Sequence, residues 1–187
     1  GYVASIQDNF PDAKIGLFYV NNGFGNVYAD AFRDAIDRNA FKAERRKVTI
    51  DFQGEKGVRV FGDEEMLAVA FKNIIENAIV YSPEGSKVGV SLEKSGNVAE
   101  VKVVDNGVGI SKEDQKRIFE RFYRVDQSRS RETGGTGLGL SIVKHVALSH
   151  QGEITVFSKP GVGSTFTLRL PAAVRNIAGS EIGRTAE

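Results

Sequence analysis

The chain has 187 residues, of which 41% are hydrophobic and 26% are charged, a composition typical of folded globular proteins rather than disordered or fibrous ones. Its 25 basic and 24 acidic residues give a net charge of +1, which removes the broad electrostatic argument for binding to nucleic acid or a membrane surface, so any phosphate site must be local. The chain has no cysteine, which excludes disulfides, thiolate chemistry and cysteine-ligated metal sites, and no apolar run approaches the ~20 residues that a membrane-spanning helix needs.

The first elements in chain order form a strand, a loop and a helix. Residues 13–20 (AKIGLFYV) predict a buried strand, residues 21–25 a loop, and the apolar spacing of residues 26–46 one long helix. A single unit of this kind cannot bury its own apolar strand, so it must pack against the rest of the chain or derive from another protein.

The centre of the chain predicts one core built from strands and helices. Residues 47–52 and 58–61 indicate strands, and Asp63 can cap a helix over residues 64–81. Two hairpins follow, 87–94 with 97–104 and 153–158 with 164–170; between them lie a short helix near 112–123, a polar stretch, and a helix from the glycine-rich segment to residue 150. We therefore expect an α/β (α+β) two-layer sandwich whose mainly antiparallel mixed sheet is covered on one face by helices, with an N-terminal strand-loop-helix addition. Residues 172–187 lack periodicity and predict a disordered tail.

Two asparagines mark the first candidate site. Asn73 and Asn77 are four residues apart and so lie on one face of the predicted helix. They could simply satisfy structural hydrogen bonds, because an unpaired amide within an apolar helix is costly. Alternatively, their amide oxygens are hard neutral ligands suited to Mg²⁺ and phosphate.

Two glycine-containing segments and an arginine-rich loop add further candidates. Asp105 ends a strand and is followed by Gly107 and Gly109; this is either an ordinary turn or a carboxylate that accepts from a purine amino group. Residues 134–140 (GGTGLGL) open directly into a helix, where free N–H groups could meet phosphate, although the spacing matches neither a P-loop nor a dinucleotide-binding fingerprint. The loop between them carries three arginines that could be merely solvated or could contact phosphate: Arg124, Arg129 and Arg131.

The joint order of these motifs resembles the ATP-binding catalytic domain of bacterial sensor histidine kinases, within the Bergerat-fold (GHKL) superfamily of gyrase and heat-shock chaperone ATPases. FKNIIENA resembles the N box, VVDNGVGI the first glycine box, IFERFYRVD the F box, GGTGLGLSIVK the second glycine box, and PGVGSTFTL the closing strand motif. The resemblance covers about residues 39–171. It implies a transferase of two-component signal transduction that binds ATP and Mg²⁺ and is not active alone.

The resemblance also implies roles for individual residues. Asn77 would hold Mg²⁺ with support from Asn73, Asp105 would accept from the adenine amino group, and Arg124 and Arg129 would lie near the phosphates. The remaining implied nucleotide-binding positions are Tyr81, Gly107, Gly109, Ile110, Phe119, Phe122, Gly135, Thr136, Gly137, Leu138, Gly139, Leu140 and Thr165. One departure is Val80, where many members place a lysine near the phosphates.

The same resemblance bears on the reaction and its partners. Hydrolytic relatives place a general-base glutamate where this chain has Asn73, and because an amide is no base, we expect transfer of the γ-phosphoryl group to a histidine rather than rapid hydrolysis. In the family that histidine lies on a preceding helical phosphoacceptor module, so the resemblance implies such a module and a response regulator as partners. His145 and His150 fit neither this role nor a zinc site. We expect no nucleic acid or membrane contact by this fragment and a cytoplasmic kinase-like part; a membrane anchor in the parent stays open.

The N-terminal unit is unlike the dimerisation helices of these kinases. It resembles a strand-loop-helix unit of periplasmic binding proteins, which suggests a chimera; a natural variant start of the domain is the alternative. The expected organisation is a segment 1–38 of uncertain origin, an ATP-binding domain 39–171 and a tail 172–187. The competing function is an engineered or recombined non-catalytic scaffold without productive nucleotide binding, and a true ATPase is a third reading.

Overall fold

A computed structural model of the chain describes residues 25–27, 29–54, 58–125 and 136–172. The strand predicted at 13–20 and all but the first residue of the predicted tail lie outside these residues. The described strands are β1 (Gly25–Val27), β2 (Thr49–Gly54), β3 (Val60–Gly62), β4 (Lys87–Ser95), β5 (Val98–Asp105), β6 (Glu153–Lys159) and β7 (Gly163–Pro171). The described helices are α1 (Ala29–Arg45), α2 (Glu64–Tyr81), α3 (Lys112–Gln115) and α4 (Gly139–Ser149).

Five of these strands form one mixed sheet in the order β2-β4-β5-β7-β6. β2 and β4 run parallel, and each of the other neighbouring pairs is antiparallel. The short strands β1 and β3 pair separately as a two-stranded antiparallel sheet. The predicted mainly antiparallel mixed sheet is therefore confirmed.

The core lies between this sheet and the helices. Because side chains alternate along a strand, β4 turns Val88, Val90 and Leu92 inward, and all three are buried. α2 packs between α1 and α4 over the sheet and has eight buried residues, among which Leu67 and Phe71 are each 1% exposed. Burying a side chain of that size contributes about 1.5–3 kcal/mol, so α2 is held in place by its apolar face.

Two predicted elements have different bounds in the structure. Gly25 was expected in a loop and residues 26–27 in a helix, but all three pair with β3, and α1 begins only at Ala29. The helix expected near 112–123 is regular only over Lys112–Gln115; Ser111 caps it, and three-residue turns follow. Phe122 then adopts a left-handed φ of 63°, which ends any helical continuation.

α1 is an integral part of the core because it packs against α2. It is one continuous helix across the boundary expected at residue 38, and Ala35 and Ile36 are buried in the common hydrophobic cluster. The buried amide of Asn39 donates to the carbonyl oxygens of Ala35 at 2.8 Å and Lys72 at 3.1 Å. The division at residue 38 stays a prediction, and within the described ranges no helix is long and apolar enough to cross a bilayer.

Candidate functional site

A cavity of about 560 Å³ lies beside α2, next to the end of β5 and the beginning of α4. α2 contributes five lining residues: Lys72, Asn73, Glu76, Asn77 and Tyr81. Their spacing follows the helical period, so they form one polar face on a helix whose other face is apolar. The side chain of Asp63 accepts from the Met66 N–H at 2.9 Å and caps this helix, so the helix begins at Glu64.

Asp105 forms the wall of the cavity at the end of β5. Alternation along β5 turns Asp105 to the same inner face as Val101 and Val103, and it is only 5% exposed. Its Oδ1 accepts from the backbone N–H of Gly107 at 2.8 Å and of Ser164 at 3.2 Å. Burial raises the pKa of Asp105, although these hydrogen bonds and the Ser164 side chain oppose the rise. A buried carboxylate held in this way is oriented to accept from a ligand.

The loop after Asp105 is packed too closely to tolerate side chains at two positions. A Cβ at Gly107 would stand 2.5 Å from the Tyr81 carbonyl oxygen, and one at Gly109 would collide with the Lys159 carbonyl oxygen. Gly109 also has a φ of 70°, which disfavours any other residue. The glycines therefore let this loop lie between the end of α2 and the β6–β7 turn.

The segment after α3 supplies an aromatic wall. The Tyr123 hydroxyl donates to Asp114 Oδ1 at 2.5 Å, and the Arg117 guanidinium lies 4.3 Å from the centre of the Tyr123 ring. Phe119 is partly buried against the core, whereas Phe122 is 72% exposed and does not line the cavity. The Phe122 N–H donates to the Gly137 carbonyl oxygen at 3.0 Å. This bond links the described segment before residues 126–135 to the one after them.

The beginning of α4 closes the cavity beside Asn73. A Cβ on Gly139 would lie 3.6 Å from the Asn73 carboxamide oxygen, so the first residue of α4 is directly next to that side chain. Leu138, at the N-cap position, makes no side-chain capping bond. Because the first N–H groups of a helix have no partner within it and carry partial positive charge, this end of the cavity favours an anion.

The structure brings most of the predicted site residues to this one cavity. Those that line it are Asn73, Asn77, Tyr81, Asp105, Gly109, Ile110, Arg124, Thr136, Gly137, Gly139 and Leu140. Five of the described ones do not line it, namely Gly107, Phe119, Phe122, Leu138 and Thr165; Gly107 acts instead through its bond to Asp105. Thr165 faces the other side of the sheet because its neighbours Ser164 and Phe166 turn inward. Arg129 and Gly135 lie outside the described residues.

Sequence reasoning missed several lining residues: Lys72, Glu76, Val108, Ile118, Tyr123, Val125, Ser164 and Phe166. Lys72 and Glu76 are four residues apart and so share one side of α2, but nothing in the sequence separates them from ordinary surface charges. Ser164 could have been found only with the strand register, in which it is paired with Asp105.

Comparison with known proteins identifies the family. Residues 62–174 match the model of a family described as histidine kinase-, DNA gyrase B- and HSP90-like ATPases. The chain belongs to this family. The matched region contains Asn73, Asn77, Asp105 and both glycine-rich segments, and all the lining residues of the cavity lie within it.

The relatives are named as sensor proteins, and one of them as a sensor-like histidine kinase. The chain is 51% identical over 138 residues to the sensor-like histidine kinase SenX3 of Mycolicibacterium smegmatis, covering 74% of this chain and 36% of that protein. It is 39% identical over 149 residues to the phosphate regulon sensor protein PhoR of Pseudomonas aeruginosa, covering 79% of this chain and 33% of that protein. The chain thus spans about a third of the length of these relatives.

Solved structures agree with the fold. The mycobacterial sensor histidine kinase MprB superposes with a TM-score of 0.63 at 32% identity, over 75% of this chain and 94% of that one. The catalytic domain of histidine kinase ThkA superposes with a TM-score of 0.66 at 24% identity, over 76% of this chain and 90% of that one, and supports the fold. The domain is therefore a histidine kinase ATPase-type catalytic domain. These matches do not favour the alternative of a non-catalytic scaffold, and none of them supports a chimera.

Proposed function

We propose that the cavity binds ATP with Mg²⁺ and that the chain transfers the γ-phosphoryl group of ATP to a histidine on a separate helical module, leaving ADP, and that a response regulator then receives the phosphoryl group from that histidine. The observation that carries this proposal is the buried carboxylate of Asp105, held by two backbone N–H groups at the wall of a cavity that also contains Asn73 and Asn77. The family's description as histidine kinase-, DNA gyrase B- and HSP90-like ATPases supports a nucleotide in this cavity.

The residues at one end of the cavity suit an adenine ring. Asp105 accepts from the exocyclic amino group, and Gly109 lets the loop lie beside the base. Ile110 and Phe166 supply apolar surface for its faces, since both line the cavity and pack in or against the core. A carboxylate selects for a donor at this position, so adenine is favoured over a purine with an oxygen there.

The other end suits a magnesium triphosphate. Asn73 and Asn77 present neutral amide oxygens, the hard ligands that Mg²⁺ accepts while phosphate oxygens balance its charge. Arg124 and the first N–H groups of α4 add positive charge near the phosphates. When bound, Mg²⁺ would neutralise charge that develops on the transferred phosphoryl group.

Hydrolysis by the domain itself should be slow. Asn73 is an amide and cannot activate water, and Glu76, the nearby carboxylate, is ion-paired with Lys42 and Lys72. Burial raises the pKa of Glu76, but the two lysines more than offset this and lower it overall, which makes Glu76 a weak base. His145 is exposed on α4 and His150 is buried and hydrogen-bonded to the N–H of Asp63, so neither is proposed as the acceptor.

The test is a calorimetric titration of the chain with ATP in the presence and absence of Mg²⁺, together with an assay of phosphate release. We expect saturable binding that Mg²⁺ strengthens and phosphate release close to background. Absence of saturable binding would favour a non-catalytic scaffold, and steady phosphate release would favour a true ATPase. Addition of a histidine-bearing helical module from a sensor kinase should then yield acid-labile phosphate on that module alone.

A further inference from the structure

A cluster of three charged side chains lies where α1 meets the polar face of α2. Lys42 of α1 donates to Glu76 Oε1, and the Lys72 ammonium lies 3.4 Å from Glu76 Oε2. Two cations thus share one carboxylate, and the cluster has a net charge of +1. Lys72 and Glu76 line the cavity, whereas Lys42 stands behind them.

The two lysines are not equivalent in their bond to Glu76. A charge-assisted N–H···O bond is about 2.7–2.9 Å long, so Lys72 makes only a loose ion pair while Lys42 makes the close one. An ammonium has three donors, which Lys72 does not exhaust on Glu76. The Lys72 side chain is 38% exposed and can therefore reorient without desolvating a buried charge.

The position of Lys72 is at the anion-favouring end of the cavity. Lys72 directly precedes Asn73, and the Asn73 carboxamide lies next to Gly139 at the beginning of α4. On the same helix Val80 provides no charge. Among the charged side chains that α2 brings to the cavity wall in the described ranges, Lys72 is the cation.

We infer that Lys72 contacts the polyphosphate of the bound nucleotide, moving from its loose pairing with Glu76 to a phosphate oxygen while Lys42 keeps Glu76 neutralised. The inference rests on the proposed function. It makes Lys72 a residue that distinguishes nucleotides by their phosphate number, and it makes Lys42 the partner that neutralises Glu76 once Lys72 has moved.

The experiment compares the affinities of ATP, ADP and AMP, each with Mg²⁺, for the full chain and three variants. Lys72→Ala should weaken ATP binding about ten-fold, ADP binding less, and AMP binding least, because the lost contact is to the phosphates. Glu76→Gln releases Lys72 and should leave ATP affinity unchanged or higher. Lys102→Ala is the matched control, because Lys102 also pairs with a glutamate, Glu100, but on the sheet away from the cavity.

The outcomes separate the inference from the proposed function. If the wild-type chain binds no ATP, the proposed function fails and the inference fails with it. If the wild type binds ATP but Lys72→Ala has no effect, or weakens all three nucleotides equally, the inference alone is overturned. Equal losses in Lys72→Ala and Glu76→Gln would also overturn it, since that pattern is expected of a purely structural ion pair.

Discussion

Replacement of Asp105 by asparagine changes the chemistry of the proposed base site while keeping its shape. Both backbone N–H groups donate to the same oxygen, Oδ1, so the asparagine oxygen can preserve those bonds and place its NH₂ group where the second oxygen now stands. A donor would then face the adenine amino group. The loss of a charged hydrogen bond costs about 1.5–3 kcal/mol, and the donor–donor contact adds to it, so we expect ATP affinity to fall about 100-fold.

The assay is a calorimetric titration of wild type and Asp105→Asn with ATP and with inosine triphosphate, whose 6-oxygen accepts a hydrogen bond. The variant should lose much more affinity for ATP than for inosine triphosphate. Asp51→Asn, at an exposed position of β2, is the matched control and should bind as the wild type does. Equal losses for both nucleotides, or an unchanged ATP affinity, would refute the assignment of Asp105 to the purine.

The stability of the same variant provides an independent check. Because burial raises the pKa of Asp105 in the folded state, the charged carboxylate lowers stability at neutral pH, and this penalty disappears as the pH falls through the raised pKa. Unliganded Asp105→Asn should therefore unfold at or above the wild-type temperature at pH 7, with a difference that shrinks on acidification. A variant that unfolds much earlier would mean that lost binding reflects lost structure.

Three further changes test the packing and electrostatics around the cavity. Gly109→Ala should lower the free energy of unfolding in urea by several kcal/mol, because the new Cβ would clash with Lys159. Gly85→Ala is the control: Gly85 also has a positive φ but has open space around it, so the loss should be only about 1 kcal/mol. Equal losses would contradict the clash with Lys159. Ser82→Ala should be neutral or slightly stabilising, because the buried hydroxyl has no hydrogen-bond partner in the part of the chain that the structure describes, and a loss above about 1 kcal/mol would contradict this. For Glu76, whose pKa is lowered, wild type should be more stable than Glu76→Gln above pH 5 in thermal unfolding, and the difference should vanish as the pH falls through the lowered pKa; a difference independent of pH would contradict the ion pairs.

The sequence predicted the parts of the fold that follow from local periodicity. Asp63 does cap α2, and the hairpin strands β4 and β5 alternate as expected, because both patterns depend only on residues near in sequence. The strand at 25–27 could not be predicted, since it forms by pairing with β3, which is distant in sequence. The sequence predicted a helix that continued through the aromatic segment after α3. In the structure turns follow α3 instead, and Ile118 and Phe119 reach the core from these turns.

The candidate site was predictable to a similar degree. Asn73, Asn77 and Asp105 stand out because polar groups at otherwise apolar, inward-facing positions require a reason. Lys72 and Glu76 look like ordinary surface charges in the sequence, and only the approach of α1 and the cavity wall gives them a possible role. Thr165 was assigned to the site from its motif alone, but it does not line the cavity, whereas its neighbours Ser164 and Phe166 do. Adjacent residues of a strand lie on opposite faces of the sheet, and a motif does not say which face is which.

The central claim is that the cavity holds ATP with its base on Asp105 and its metal on the asparagines. The most direct measurement is a crystal structure of the full chain with Mg²⁺ and a non-hydrolysable ATP analogue. We expect the adenine amino group within hydrogen-bond distance of the Asp105 carboxylate, and Mg²⁺ beside Asn77 and the phosphates. A nucleotide bound elsewhere, or one whose base does not contact Asp105, would contradict it.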